Sequence, residues 1–101
     1  MVTIEVTQAD IDGAIQIIEN EQNWKIYKVC PIARAMNRIL PSSKAEWGVG
    51  EDAFLYHDFS KIVEAAMPSV AGAWRDQFDA DFNSVKPFSF EIAIDLAKVP
   101  V

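Results

Sequence analysis

This 101-residue chain has one cysteine and one histidine, so the side chains that most often do covalent, metal or acid–base work near neutral pH are almost missing. A lone cysteine cannot close an internal disulfide, which fits a reducing compartment. The sequence has no histidine pair at zinc-binding spacing, no nucleophile elbow and no Walker loop. We therefore expect no enzyme activity, no cofactor and no metal site. Positive charge is scarce too: 9 Lys+Arg stand against 15 Asp+Glu, a formal net charge of -6. Such a surface is repelled by phosphate backbones, which argues against direct nucleic-acid binding, although it suits imitation of nucleic acid before a basic protein groove. No apolar run reaches the roughly 20 residues that a membrane-spanning helix needs. Met1 to Val6 lacks the basic start and apolar stretch of a signal peptide. The expectation is a soluble protein of the cytoplasm (the host cytoplasm for a phage-encoded chain) with no membrane partner.

What is present suffices for one core. Half of the residues are hydrophobic and 24% are charged, the balance of an ordinary globular chain. With no repeat, linker or low-complexity tract, residues 1–101 are read as a single domain. Val2, Ile4 and Val6 alternate with Thr3 and Glu5, the period of a half-buried strand. Thr7 then caps a helix, with Asp10 as its capping-box-like partner. Ile11, Ala14, Ile15 and Ile18 form the apolar stripe of that helix. Gly13 interrupts it at a cost of about 1 kcal/mol relative to alanine, which points to close approach of a neighbour or to contact with an anion.

Residues 19–29 read as a connection, partly extended around Trp24. Pro31 suits the first position of a second helix and makes Cys30 its N-cap. Ile32, Met36, Ile39 and Leu40 are its apolar side, and Arg34, Asn37 and Arg38 share the other. Strands are expected over Trp47–Gly50 and Ala53–His57, while Ser60–Met67 fits strand or helix. A last helix starts near Ser69 with Val70, Trp74 and Phe78 on one face, and a strand closes the chain between Val85 and Ile94. The fold class predicted is α+β, a mainly antiparallel sheet with about three helices packed on one face.

Cys30 has two readings. As a nucleophile it needs a base, for which only His57 is available; as a packed thiol it needs none. The helix it opens supplies free N–H groups, and Arg34, Arg38, Lys25 or Lys28 lie close enough in sequence to share a phosphate with them. Trp24 and Tyr27, just upstream, are placed to stack on a base. The bland alternative is a solvated helix face with aromatics anchored in the core. Asp76, Asp79 and Asp81 make an acidic cluster. Asp79 even opens a run like a calcium loop, but Ser84 takes its obligatory glycine position and Phe90 its twelfth ligand position. Gly48-Val49-Gly50 lacks the βαβ context of a dinucleotide fingerprint.

Val6-Thr7-Gln8-Ala9-Asp10-Ile11, Cys30-Pro31-Ile32-Ala33, Phe78-Asp79 and Pro87-Phe88-Ser89-Phe90-Glu91 together resemble a group of small bacteriophage and prophage proteins. The resemblance implies a phage accessory protein, and such proteins often bind and block, or sequester, a component of host immunity. The function expected is thus a non-enzymatic binding protein that counteracts a host defence system by sequestering a small (cyclic) nucleotide. Cys30, Arg34, Arg38, Trp24, Tyr27 and Lys28 would hold that ligand. The alternative is an acidic inhibitor that docks on a host defence protein through Asp76, Asp79, Asp81, Glu51 and Asp52, with Glu46 adding charge. Eleven aromatic residues in so small a domain lead us to expect a homo-oligomer.

Overall fold

The alternating Val2–Val6 segment forms strand β1 with Ile4 and Val6 fully buried. The structure, a computed structural model, describes residues 1–20, 30–57 and 60–99. Helix α1 (Gln8–Asn20) follows β1 at once, because Thr7 and Asp10 close its first turn reciprocally. The Thr7 hydroxyl oxygen accepts from the Asp10 N–H at 3.3 Å, and Asp10 Oδ2 accepts from the Thr7 N–H at 2.9 Å. This is a capping box with aspartate in place of the commoner glutamate. Ile11 and Ala14 are buried, and Ile15 and Ile18 pack on the core from its margin.

Helix α2 (Pro31–Ile39) starts at Cys30 as N-cap, with Pro31 in the first turn. It lies centrally, against α1, β1 and β2 (Glu46–Val49). Pro31, Ile32, Ala33, Ala35 and Met36 are buried, so the solvent side is narrow and bears Arg34, Asn37 and Arg38, with Ile39 half-buried at its end. β2 continues through a turn at Gly50 into β3 (Asp52–His57), and β3 pairs antiparallel with β4 (Ser60–Ala66). The segment that fits either state, Ser60–Met67, is therefore a strand as far as Ala66. Val63 and Ala65 are buried in step with Leu55 and Ala53, which they face. Helix α3 (Ser69–Ala80) leads to β5 (Phe88–Ile92), which returns antiparallel to β1 with Ile4 opposite Phe90. A short 3-10 turn (Leu96–Lys98) follows.

The chain is thus α+β, with three α-helices among the described residues and antiparallel strands. Several details differ from expectation. Glu19 and Asn20, read as connection, are the last residues of α1. The five strands form two sheets, β1-β5 and β2-β3-β4, rather than one. The closing strand is confined to Phe88–Ile92, since Val85 to Pro87 serve as the approach from α3. The buried face of α3 carries Ala71, Trp74 and Phe78, whereas Val70 is 58% exposed. Its phase is set by the aromatic partners: Trp74 stacks on Phe88 with ring centroids 4.7 Å apart, and Phe78 meets Phe82 at 5.1 Å. The Trp74 indole N–H donates to the Lys86 carbonyl at 2.9 Å, which leaves no polar atom of that ring stranded.

Candidate functional site

The polar side of α2 opens onto a groove of about 530 Å³ lined by Asp10, Arg34, Asn37, Arg38, Pro41, Ser42, Ala45 and Glu46. Its volume falls within the usual range for small-molecule sites, roughly 300–1,000 Å³. A neighbouring hollow of about 320 Å³ shares Ser42, Ala45 and Glu46 with it and extends past Tyr56 and His57. Spacing along the helix had placed Arg34, Asn37 and Arg38 on one face, and the structure brings all three to the groove wall.

The three side chains do different things. Asn37 is fully engaged with the edge of β2: its Oδ1 accepts from the Trp47 N–H at 2.7 Å, and its Nδ2 donates to the Trp47 carbonyl at 3.2 Å. The indole N–H of the same buried tryptophan donates to the Leu40 carbonyl at 3.1 Å, at the end of α2. Arg38 is engaged with the other side of the domain. Its Nη2 donates to Asp10 Oδ2 at 2.9 Å and to the Glu5 carbonyl at 2.8 Å, joining α2 to the exit of β1 and the start of α1. Burial alone would raise the pKa of Asp10. The Arg38 guanidinium and the N–H and hydroxyl of Thr7 outweigh it and hold the carboxyl below its ordinary value.

Arg34 differs. Among the described residues it has no hydrogen-bond or ion-pair partner, and its Nε is buried without one. Its guanidinium lies against α1 at Gly13, so the close approach expected at that glycine is made by an arginine.

Cys30 is elsewhere. The residue is only 4% exposed and lines a separate hollow of about 240 Å³ with Val49, Gly50, Glu51, Arg75 and Asp79. Burial pushes the thiol up to about 11; the Ile32 and Ala33 amides at the helix start oppose this but do not overcome it. At neutral pH the group is a protonated, packed thiol. His57, the base a nucleophilic cysteine would need, ends β3, whereas Cys30 lies beside the turn that begins it. That separates them by about 17 Å of strand. The N-terminal end of α2 and its two arginines therefore face different hollows rather than one combined site. Trp24, Lys25, Tyr27 and Lys28 lie outside the described residues.

The acidic candidates are distributed around α3. Glu51 and Asp79 line the Cys30 hollow together. Asp76 is held by Arg75 Nη2 at 3.0 Å, and Asp81 forms the C-cap of α3 and accepts from the Asn83 N–H at 3.1 Å. Asp52 begins β3, half-buried. Burial raises the Asp79 carboxyl, with Arg75 opposing and Asp76 reinforcing. Asp79 and Ala80 are the last residues of α3, so the stretch that opens like a calcium loop begins inside a helix. Gly48-Val49-Gly50 belongs to a β-hairpin, not to a strand–helix turn. Among the described residues no helix is long and apolar enough to cross a membrane.

Other groove residues gave no signal for this site in the sequence: Asp10 was legible only as a cap, Ser42 carries no motif, and Glu46 was read only as part of an acidic docking surface. Gly13, a glycine inside an apolar helical stripe, was the one available hint. Comparison of the chain with protein-family models, with curated proteins and with solved structures finds no match.

Proposed function

We propose that this is a non-enzymatic binding protein whose α2 groove takes a small anionic ligand of nucleotide size. The observation that carries the reading is Arg34, a guanidinium with no partner among the described residues on the wall of a groove of about 530 Å³. A guanidinium with no carboxylate beside it is stabilised by an oxyanion at its open edge, and arginine forms the shorter, charge-assisted bonds that phosphate favours. In the setting that the phage resemblance implies, the ligand is a small (cyclic) nucleotide signal, and holding it away from its receptor counteracts a host defence system. The test is native mass spectrometry of the protein isolated gently from infected cells. The expected spectrum carries a bound mass of several hundred daltons that is lost on denaturation and missing from Arg34→Ala. A bound mass retained in full by Arg34→Ala would overturn the assignment of the site, and the same spectrum reads the oligomeric state.

A second reading is favoured by one observation: Glu51 and Asp79, remote in sequence, line one hollow, with Asp76 one turn before Asp79 on α3. This is an acidic patch suited to a basic groove on a host protein. Reversing Asp76 and Asp79 to lysine would then abolish capture of that protein, while Arg34→Ala would leave capture intact.

A further inference from the structure

Arg34 owes its position to an absence. A methyl group built at Gly13 would stand 2.6 Å from Arg34 Cζ and 2.9 Å from its Nε, well inside contact distance. The guanidinium therefore lies in a cradle on α1 that only glycine leaves open, and its other edge is turned away from the helix. One turn further along α2, Arg38 is neutralised by the buried carboxylate of Asp10 at 2.9 Å. Of the four charged side chains lining the groove, two thus cancel as a bonded pair. Arg34 remains, with the Glu46 carboxylate lining the same groove and already accepting from the Tyr56 hydroxyl at 3.2 Å.

This arrangement limits the charge a ligand can bring. A terminal phosphate carries close to two negative charges at neutral pH, since its second pKa is about 6. Among the described residues its second charge would find no further uncommitted cation on this groove's wall, Lys44 lining the adjoining hollow instead, and it would face Glu46 and a protein of net charge -6. A phosphodiester carries one charge and has a substituent on each side. One substituent can rest on Pro41 and Ala45, and the other can run past Glu46 into the adjoining hollow at Tyr56.

We infer that the groove selects a ligand with a single negative charge, the phosphodiester being its nucleotide form, and that Gly13 sets the ligand's place by cradling Arg34. This rests on the binding reading above. Gly13 is a positioning residue: it touches the arginine and not the ligand.

The experiment is calorimetric titration of the intact protein with 3′,5′-cyclic AMP, 5′-AMP and adenosine, which share a base and differ in charge. Cyclic AMP is expected to bind, with adenosine at least about tenfold weaker because it lacks the charge-assisted hydrogen bond, and 5′-AMP at least about tenfold weaker because its second charge is unmatched. Binding of 5′-AMP as tight as cyclic AMP overturns the single-charge selection and leaves the binding reading standing. Binding of adenosine as tight as cyclic AMP removes the anion contact altogether. If none of the three binds, it is the binding reading for nucleotides that fails. Gly13→Ala is expected to weaken cyclic AMP about as much as Arg34→Ala does, with no further loss in the double variant. Its Tm should hold or rise, because alanine favours the helix and the displaced arginine is the far end of a flexible side chain. Undiminished cyclic AMP binding by Gly13→Ala, or losses that add in the double variant, would overturn the cradle.

Discussion

The two ends of α2 solve the problem of a helix terminus in opposite ways. At the C-terminal half, polar side chains face a groove and are tied to distant backbone: Asn37 to β2 at Trp47, and Arg38 to β1 at Glu5 and to α1 at Asp10. At the N-terminal end, Cys30 and Pro31 are sealed in the core, and no side-chain hydrogen bond caps the helix. A hydrogen-bonded end is rigid and can hold a ligand group in register, whereas a sealed end only packs. The helix N-terminus is the usual place to look for anion binding. Here the unpartnered donor among the described residues is a side chain, Arg34 near the middle of the helix, and not the backbone at its start.

The largest effect that would break this contrast is at Asn37. Its amide satisfies both polar groups of the Trp47 backbone, and Asn37→Ala would strand a buried N–H and a carbonyl at once. At 1–3 kcal/mol for each unsatisfied group, we expect a loss of about 2 to 4 kcal/mol in chemical denaturation. A loss below about 1 kcal/mol would mean that water reaches the β2 edge and that this end is not tightly tied.

Arg38→Ala comes next, at about 1 to 2 kcal/mol at pH 7, reduced because the arginine itself is half-exposed. The effect should depend on pH. With the native Asp10 carboxyl held below its unfolded value near 4, the unfolded chain takes up a proton first as the pH falls. The pair's contribution is therefore full above about pH 5 and is lost as the pH falls through the native pKa. Denaturation of the two proteins should converge on acidification below pH 4. A constant gap between pH 7 and pH 3 would assign the stability to the Glu5 carbonyl bond alone.

Local pattern carried much of this end of the molecule. The Thr7–Asp10 cap, the Cys30-Pro31 helix start and the shared face of Arg34, Asn37 and Arg38 all follow from spacings of three or four residues, where helical geometry dictates proximity. Which arginine is occupied and which is unpartnered could not follow, because the partners of Arg38 lie 28 and 33 residues away. The same limit explains α3. Val70 and Ala71 are both apolar, and the phase of the helix was decided by Phe88 and Phe82, which come later in the chain. Ser60–Ala66 was undecided between strand and helix until β3 supplied a partner. The split of the strands into two sheets is likewise a matter of pairing and not of propensity.

The sealed end offers the smallest effect. Cys30 is raised by burial first, and the Asp79 carboxylate adds a lesser push because a second negative charge beside a thiolate is unfavourable. Asp79 is itself raised, chiefly by desolvation, so its charge opposes the folded state where Asp10's supports it. As the pH falls the native state takes up this proton first, and Asp79 should gain stability over the range in which Asp10 loses it. Asp79→Asn removes the charge and keeps the shape. We expect it to hold or slightly raise the Tm at pH 7, and to move the Cys30 titration down from about 11 while leaving it above the ordinary thiol value. Alkylation rate against pH on the folded protein reads the second change directly. The native thiol should be nearly inert at pH 7, and reactive once the chain is unfolded. If Asp79→Asn leaves the alkylation profile unmoved, the thiol is raised by burial alone and the two groups lining that hollow are electrostatically independent. A thiol already reactive at pH 7 would undo the contrast itself, since the N-terminal end of α2 would then be open to solvent like the other.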